Sequence, residues 1–177
     1  FLTTIPNVTM FSPSCYEELS HCLVTALYDT DGIAVVRYPR GNDKSEFDKS
    51  VVNLDYHYTG KANSTLVITY GRIYDNAVKA STGTGKCDLL KLTKIFPVSD
   101  EIVKIAENYE NIIFFEEGIK NGGISEHIIS LMHNFKGNYK IVAVEGFVKQ
   151  ASVNRQLELF GLSEDKMIET INGVVNG

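Results

Sequence analysis

The sequence predicts an α/β protein: a partial parallel β-α-β unit followed by a doubly wound α/β domain. Short apolar runs typical of buried strands alternate with segments whose apolar residues recur at helical spacing. A charged stretch with little periodicity divides this series in two. Strands that alternate with helices usually form a parallel sheet with the helices on its faces, which gives the predicted fold class.

The first unit covers residues 1–41. Val8–Phe11 is a short β-rich run, and Ser12-Pro13-Ser14 ends it and offers a cap for the next element. A helix is predicted from about Tyr16 to Tyr28, with two glutamates in the first turn, where the helix dipole favours acids. Ile33–Val36 is a continuous apolar strand, so the unit reads β-α-β.

Residues 42–60 are interpreted as an interdomain linker, because the chain from Asn42 to about Leu54 is polar and charged. The second domain then covers residues 61–177, and two serines, Ser152 and Ser163, are candidate N-caps near its end. Its predicted strands are Thr65–Thr69, Asp88–Thr93, Ile112–Glu116 and Lys140–Val144. Its predicted helices are Ile73–Ser81, Val98–Asn108, Ile124–Asn134, Val153–Phe160 and Glu164–Val174.

Composition narrows the possible functions. The chain has 177 residues, 44% hydrophobic and 22% charged, which is typical of a globular protein. A net charge of -5 with interspersed signs argues against a nucleic-acid binder, and no apolar run approaches the ~20 residues that span a bilayer. Three cysteines, Cys15, Cys22 and Cys87, form no CxxC or Cys/His pattern, so neither disulfides nor zinc are indicated, and a cytoplasmic location fits best.

An arginine-rich turn, Arg37-Tyr38-Pro39-Arg40-Gly41, directly follows the second predicted strand. Its side chains should emerge at the carboxyl end of a parallel sheet, where α/β folds bind ligands. Arg37 and Arg40 are therefore candidates to bind a phosphate or carboxylate through paired N–H donors. The alternative is that one arginine bridges to the second domain and the other is solvated.

A glycine-rich segment, Thr82-Gly83-Thr84-Gly85-Lys86, departs from the phosphate-loop pattern because Ala80 and Cys87 stand at required Gly and Ser/Thr positions. Its glycines are interpreted as a helix end. Another segment, Glu116-Glu117-Gly118, ends a predicted strand, but adjacent side chains on a strand point to opposite faces, so the two carboxylates are not expected to act as a pair. The scattered histidines show no catalytic spacing and are interpreted as surface or interface residues. They are His21, His57, His127 and His133.

The ordered motifs resemble the 1-deoxy-D-xylulose-5-phosphate synthases over essentially the whole chain. The amino-terminal part, with its arginine-rich turn, is similar to the end of their pyrimidine-binding domain, and the remainder is similar to their transketolase-type carboxyl-terminal domain. The motifs that carry the resemblance are Ile5-Pro6-Asn7, Ser12-Pro13-Ser14, Glu17-Glu18-Leu19, the arginine-rich turn, Thr69-Tyr70-Gly71, Phe114-Phe115-Glu116-Glu117-Gly118, Gly122-Gly123, Phe147-Val148, Ser152-Val153 and Leu159-Phe160-Gly161-Leu162. Ile95–Asp100 and Lys149-Gln150-Ala151 depart from the family's common residues.

The resemblance implies a homodimeric enzyme that uses thiamine diphosphate and Mg²⁺ to join pyruvate and D-glyceraldehyde 3-phosphate with loss of CO₂. Its product feeds isoprenoid, thiamine and pyridoxal phosphate synthesis. Arg37 matches the family's acceptor-phosphate arginine, and Arg40 is a weaker candidate. The family's metal-diphosphate motif, its activating glutamate and its proton-shuttling histidines would lie before Phe1. We therefore expect this chain to be a fragment that binds no cofactor and does not turn over alone.

Two other interpretations remain open. The chain could be the equivalent part of a transketolase or of a 2-oxo acid dehydrogenase β subunit, which should lack the combined arginine-rich turn and carboxyl-terminal motifs. It could also be a stand-alone dimerisation or ligand-binding module. If the missing strands of the first β-α-β unit are not supplied, its apolar sheet edges would be exposed, so we expect self-association or packing against a partner.

Overall fold

A computed structural model describes residues 2–39, 42, 43, 45–47, 49, 53–60 and 62–176. The strands are β1 (Val8–Phe11), β2 (Ile33–Val36), β3 (Tyr56–Thr59), β4 (Thr65–Tyr70), β5 (Asp88–Leu92), β6 (Lys94–Phe96), β7 (Asn111–Ile119) and β8 (Asn138–Val144). The helices are α1 (Tyr16–Tyr28), α2 (Tyr74–Thr84), α3 (Asp100–Glu107), α4 (Ile124–Leu131), α5 (Val153–Leu159) and α6 (Glu164–Val175). No helix in the described ranges combines the length and apolar character needed to cross a membrane.

The larger sheet has five strands in the order β3-β5-β4-β7-β8. Strands β5, β4, β7 and β8 are parallel, which confirms the predicted α/β class. Strand β3 pairs antiparallel with β5 and was missed by the sequence analysis, which predicted four strands and placed Tyr56–Thr59 inside the linker. Its four residues alternate too briefly to stand out from the polar segment before them, and only pairing with β5 makes them a strand.

The smaller sheet has the order β2-β1-β6. Strands β1 and β2 are parallel, as the β-α-β prediction requires, but β6 pairs antiparallel with β1. The sequence predicts a single strand at Asp88–Thr93, and the structure adds β6 directly after it. Thr93 and Lys94 both donate backbone N–H bonds to the Asp55 carbonyl, at 2.9 and 3.0 Å, where the chain leaves the larger sheet. The second half of the chain therefore completes the first unit's sheet.

Each face of the larger sheet carries its own apolar core. Alternate strand residues such as Ile68 and Phe114 pack with α3 and α4 on one face. Their neighbours, such as Val67 and Phe115, pack with α2 and α6 on the other. Helices on both faces are the doubly wound arrangement expected from the sequence.

Contacts away from the sheets also join the two units. The Glu18 carboxylate on α1 and the Lys91 ammonium on β5 form an ion pair in which both side chains are 2% exposed. From the predicted linker, the Phe47 ring packs edge-on against Tyr74 with ring centroids 4.7 Å apart. The division into residues 1–41, 42–60 and 61–177 stays a prediction, whereas the contacts place the two units against one another.

Candidate functional site

Arg37 extends from the first unit onto the carboxyl end of the larger sheet. Its backbone N–H donates to the Phe11 carbonyl at 2.8 Å, which fixes the residue directly after β2. Its Nη2 donates to the Glu117 carbonyl at 2.5 Å, and its Cζ lies 5.6 Å from the centroid of the Tyr70 ring. The bridging contact considered from the sequence is therefore present, and it holds the guanidinium at the edge where parallel sheets bind ligands.

A cavity of about 480 Å³ opens beside this guanidinium. Residues from both units and from the segment before α5 line it: Ser12, Arg37, Tyr38, Pro39, Gly71, Arg72, Glu117 and Val153. The lining brings the end of β1, the arginine-rich turn and the ends of β4 and β7 to one place. Such convergence of strand ends creates a ligand-sized space that neither unit would form by itself.

Arg72 and Glu117 set the charge of this cavity. Arg72 Nε donates to a Glu117 carboxylate oxygen at 2.9 Å, and Arg72 Nη2 contacts the other oxygen, so the pair is bidentate. Two arginines and one glutamate leave one positive charge among the charged lining residues. The sequence analysis did not single out Arg72, because nothing local distinguishes it from a solvated arginine at the start of a helix.

Glu116, by contrast, points into the protein and serves the start of α4. Its Oε1 accepts from the Tyr70 hydroxyl at 2.7 Å and from the Ile124 N–H at 2.9 Å. Its Oε2 accepts from the Ser125 N–H at 3.1 Å and also contacts the Ser125 hydroxyl. Adjacent Glu116 and Glu117 thus have separate partners. Glu116 accepts from free N–H groups at the start of α4, although it lies on β7.

The other predicted features lie away from the cavity or outside the described residues. Arg40 lies outside the described residues, so its proposed role stays a prediction. Gly85 ends α2 in a left-handed conformation (φ 63°), and its N–H donates to the Ser81 carbonyl at 2.8 Å, which confirms the helix-end interpretation. The thiols of all three cysteines are buried. Among the described residues, no group of three or more His, Cys, Asp or Glu side chains is placed to hold a metal ion.

The fold is a doubly wound α/β domain that receives an arginine from a preceding β-α-β unit. The chain belongs to the family "Transketolase, C-terminal domain", whose model matches residues 57–167. Over 97% of its length it is 25% identical to the 1-deoxy-D-xylulose-5-phosphate synthase of Clostridium tetani, and it is 26% identical to that of Thermotoga maritima. These matches confirm the resemblance noted in the sequence. The chain spans 29% of the length of each of these relatives.

Solved structures support the same fold. A split gene transketolase, described as an inactive β4 tetramer, superposes with a TM-score of 0.85 at 14% identity, covering 99% of this chain and 60% of that chain. Transketolase from Leishmania mexicana superposes with a TM-score of 0.75 at 15% identity, covering 99% of this chain and 26% of that chain. The β-α-β unit is included in both superpositions, since they cover nearly the whole chain.

Proposed function

We propose that this chain is the carboxyl-terminal part of a 1-deoxy-D-xylulose-5-phosphate synthase and that its cavity binds the phosphate of D-glyceraldehyde 3-phosphate. One observation carries the proposal. Arg37, which matches the family's acceptor-phosphate arginine, reaches across from the first unit and lines a cavity at the carboxyl end of the larger sheet. The alignment of 97% of the chain with these synthases supports the assignment of both units to one enzyme.

The cavity suits a small phosphate ester. A guanidinium offers several N–H donors in one plane, which match the oxygens of a phosphate. The bond from Arg37 to the Glu117 carbonyl and the contact with the Tyr70 ring hold the guanidinium in place before a ligand arrives. Because the Glu117 carboxylate is already engaged by Arg72, it repels an incoming anion less than a free carboxylate would. The chain's contribution is thus to bind and orient the acceptor substrate.

In whole synthases of this family, thiamine diphosphate with Mg²⁺ supplies the carbanion chemistry. The described residues do not fit the metal part of that site, since they contain no suitable cluster of ligands. We assign no chemical step through the cofactor to this chain, and we propose that it is inactive without a cofactor-binding half. That half would carry the pyruvate site, and the whole enzyme would form a homodimer.

A transketolase part is the second candidate. The superposition with the split gene transketolase favours it, because that protein is described as the product of a split gene and as an inactive β4 tetramer. In that case the acceptor would still carry a phosphate, but the donor would be a ketose phosphate rather than pyruvate. The donor substrate therefore discriminates between the two candidates.

The test is expression of the complete genomic reading frame that encodes this chain, together with any adjacent gene for a cofactor-binding half. Turnover with thiamine diphosphate and Mg²⁺ is measured with two substrate pairs: pyruvate with D-glyceraldehyde 3-phosphate, and xylulose 5-phosphate with ribose 5-phosphate. We expect product from pyruvate; product from xylulose 5-phosphate alone would support the transketolase candidate. The isolated 177-residue chain is expected to show no turnover.

An arginine variant tests the role of the cavity in the same enzyme. Arg37→Ala should raise the KM for D-glyceraldehyde 3-phosphate at least about tenfold, because a charge-assisted contact to the phosphate is lost, while the KM for pyruvate stays unchanged. Arg155→Ala is the matched control, since this exposed arginine pairs with Glu158 away from the cavity lining. If both variants change the KM for D-glyceraldehyde 3-phosphate equally, the cavity is not the site that binds the acceptor phosphate.

A further inference from the structure

Ser12 places an unpaired hydroxyl in the wall of the cavity. Its side chain is 0% exposed, and its Oγ has no hydrogen-bond partner within the described ranges. The Ser12 backbone is held firmly, because its N–H donates to the Thr93 carbonyl at 2.7 Å. A buried hydroxyl without a partner is unfavourable, so such a group marks a place for a ligand, ion or water.

Gly71, which also lines the cavity, lies beside both this hydroxyl and Arg37. Its backbone is left-handed (φ 66°), a conformation that strongly favours glycine. An atom at the position of a Cβ on Gly71 would lie 3.0 Å from Ser12 Oγ and 3.6 Å from Arg37 Nη1. Any side chain at position 71 would therefore lie against both donors and hinder a ligand from reaching them.

We propose that Ser12 and Arg37, on either side of the bare Gly71 backbone, form an oxyanion cradle, in which the oxygens of one phosphate group accept from the Ser12 hydroxyl and from the Arg37 guanidinium. This inference rests on the proposed function of the cavity and adds a second donor to it. A phosphate group fits the cradle because its several terminal oxygens can contact both donors while the ester oxygen leads out towards the rest of the substrate. The hydroxyl makes Ser12 a residue that determines specificity.

Binding of inorganic phosphate to the complete 177-residue chain tests the cradle, measured by isothermal titration calorimetry with chloride as the background anion. Ser12→Ala should weaken phosphate binding about tenfold, because it removes a hydrogen bond to a charged group. Ser14→Ala is the matched control: the Ser14 hydroxyl is likewise buried without a partner in the described part of the chain, but Ser14 does not line the cavity. Its affinity should equal that of the wild type.

A second pair of variants fills the cradle directly. Gly71→Ala places a methyl group 3.0 Å from Ser12 Oγ and 3.6 Å from Arg37 Nη1, where it obstructs the approach of a phosphate oxygen to both donors, and phosphate binding should be lost. Gly85→Ala imposes the same left-handed strain (φ 63°) where nothing lies within 4 Å of the new methyl, so its affinity should be unchanged. Circular dichroism and thermal melting of both variants show whether each remains folded.

The outcomes separate the cradle from the proposed function. Equal phosphate affinity of Ser12→Ala and the wild type overturns the cradle, and so does a wild-type chain that fails to bind phosphate at millimolar concentrations. Retained binding by a folded Gly71→Ala chain also overturns it. The proposed synthase function fails on a different measurement, the absence of product from pyruvate in the complete enzyme, and that result leaves a phosphate cradle standing.

Discussion

The Glu18 carboxylate and the Lys91 ammonium are paired in the protein interior, where α1 meets β5. The second oxygen of Glu18 accepts from the Ser14 N–H at 2.8 Å, and the Lys91 Nζ lies 5.1 Å from the Tyr74 ring centroid. Burial lowers the pKa of Lys91 to about 8, so the ammonium is still the main form at neutral pH. Two sequence segments that are 73 residues apart thus depend on each other for charge compensation.

Replacing one member of this pair should destabilise the chain strongly. Lys91→Met leaves the Glu18 carboxylate buried without its counter-ion, which costs about 3–5 kcal/mol of unfolding free energy. The double variant Glu18→Leu/Lys91→Met should recover most of this loss, because no charge then remains in the interior. Urea denaturation of the single and double variants measures both quantities.

An exposed pair provides the control for this prediction. The Lys166 Nζ and Glu169 Oε2 atoms lie 2.7 Å apart on the surface of α6. Lys166→Met should therefore change the unfolding free energy by less than about 1 kcal/mol. If the losses from Glu18→Leu and Lys91→Met simply add in the double variant, the two residues are not coupled and the prediction is wrong.

Glu116 should be needed for the stability of the β7–α4 connection. Glu116→Gln puts an amide group where backbone and side-chain donors meet a carboxylate, and we expect a loss of about 2–3 kcal/mol. Burial and the Glu116 charge raise the pKa of Tyr70 well above its usual range, which keeps the tyrosine hydroxyl available as a donor. Urea denaturation measures the loss, and exposed Glu126→Gln should cost much less, because the glutamine keeps one oxygen that can accept from the Gly122 N–H. Equal losses would contradict the prediction.

The buried cysteines predict a fall in stability at alkaline pH. Burial raises the pKa of Cys15 to about 11 and that of Cys22 to about 12, whereas thiols in an unfolded chain ionise near about 8.5. Between these values the folded state binds more protons than the unfolded state, so the free energy of unfolding decreases as pH rises, by up to about 1.4 kcal/mol per pH unit for each thiol.

Urea denaturation between pH 8 and pH 11 checks the sign of this effect. Cys22→Ala removes one of the two thiols, so its stability should fall less steeply with pH than that of the wild type, while contributions from other groups remain common to both. Parallel pH profiles for the two chains would show that Cys22 ionises equally in both states.

The charges of Arg72 and Glu117 should change the affinity of the cavity for phosphate in opposite directions. Arg72→Met removes one positive charge and the bidentate partner of Glu117, so phosphate binding measured by calorimetry should weaken by about tenfold or more. Glu117→Gln should strengthen it several-fold, and both effects should shrink at high salt. Arg155→Met, a change of the same charge away from the cavity lining, should leave the affinity close to that of the wild type. An Arg72→Met chain that binds phosphate normally would contradict this account.

Local patterns in the sequence were sufficient for most elements and for the placement of Arg37. The apolar runs of β1, β2, β4 and β7 have the length and composition of buried strands. Helical spacing of apolar residues predicts the bounds of α1. Position after a parallel strand also predicted that Arg37 would lie at the ligand-binding edge, because that rule depends only on chain order and strand direction.

Short strands and long-range pairs required the tertiary structure. Strands β3 and β6 have four and three residues, and each is stabilised by a distant partner strand rather than by its own composition. Lys91 lies in a predicted strand, yet no local signal shows that a lysine there is buried against a glutamate from α1. The unpaired Ser12 hydroxyl is equally hidden, since burial and missing partners are properties of the packed chain.

The sequence by itself therefore determined the α/β class, the order of the main elements and the arginine that reaches the sheet edge, because these follow from periodicity and chain order. Only the tertiary structure decided that the two units share a sheet through β6, that Glu18 pairs with Lys91, and that Ser12 and Arg37 both lie beside Gly71. Each of those relationships joins residues remote in the chain. The free energy of each depends on whether a buried polar group finds a partner, which only the packed chain decides.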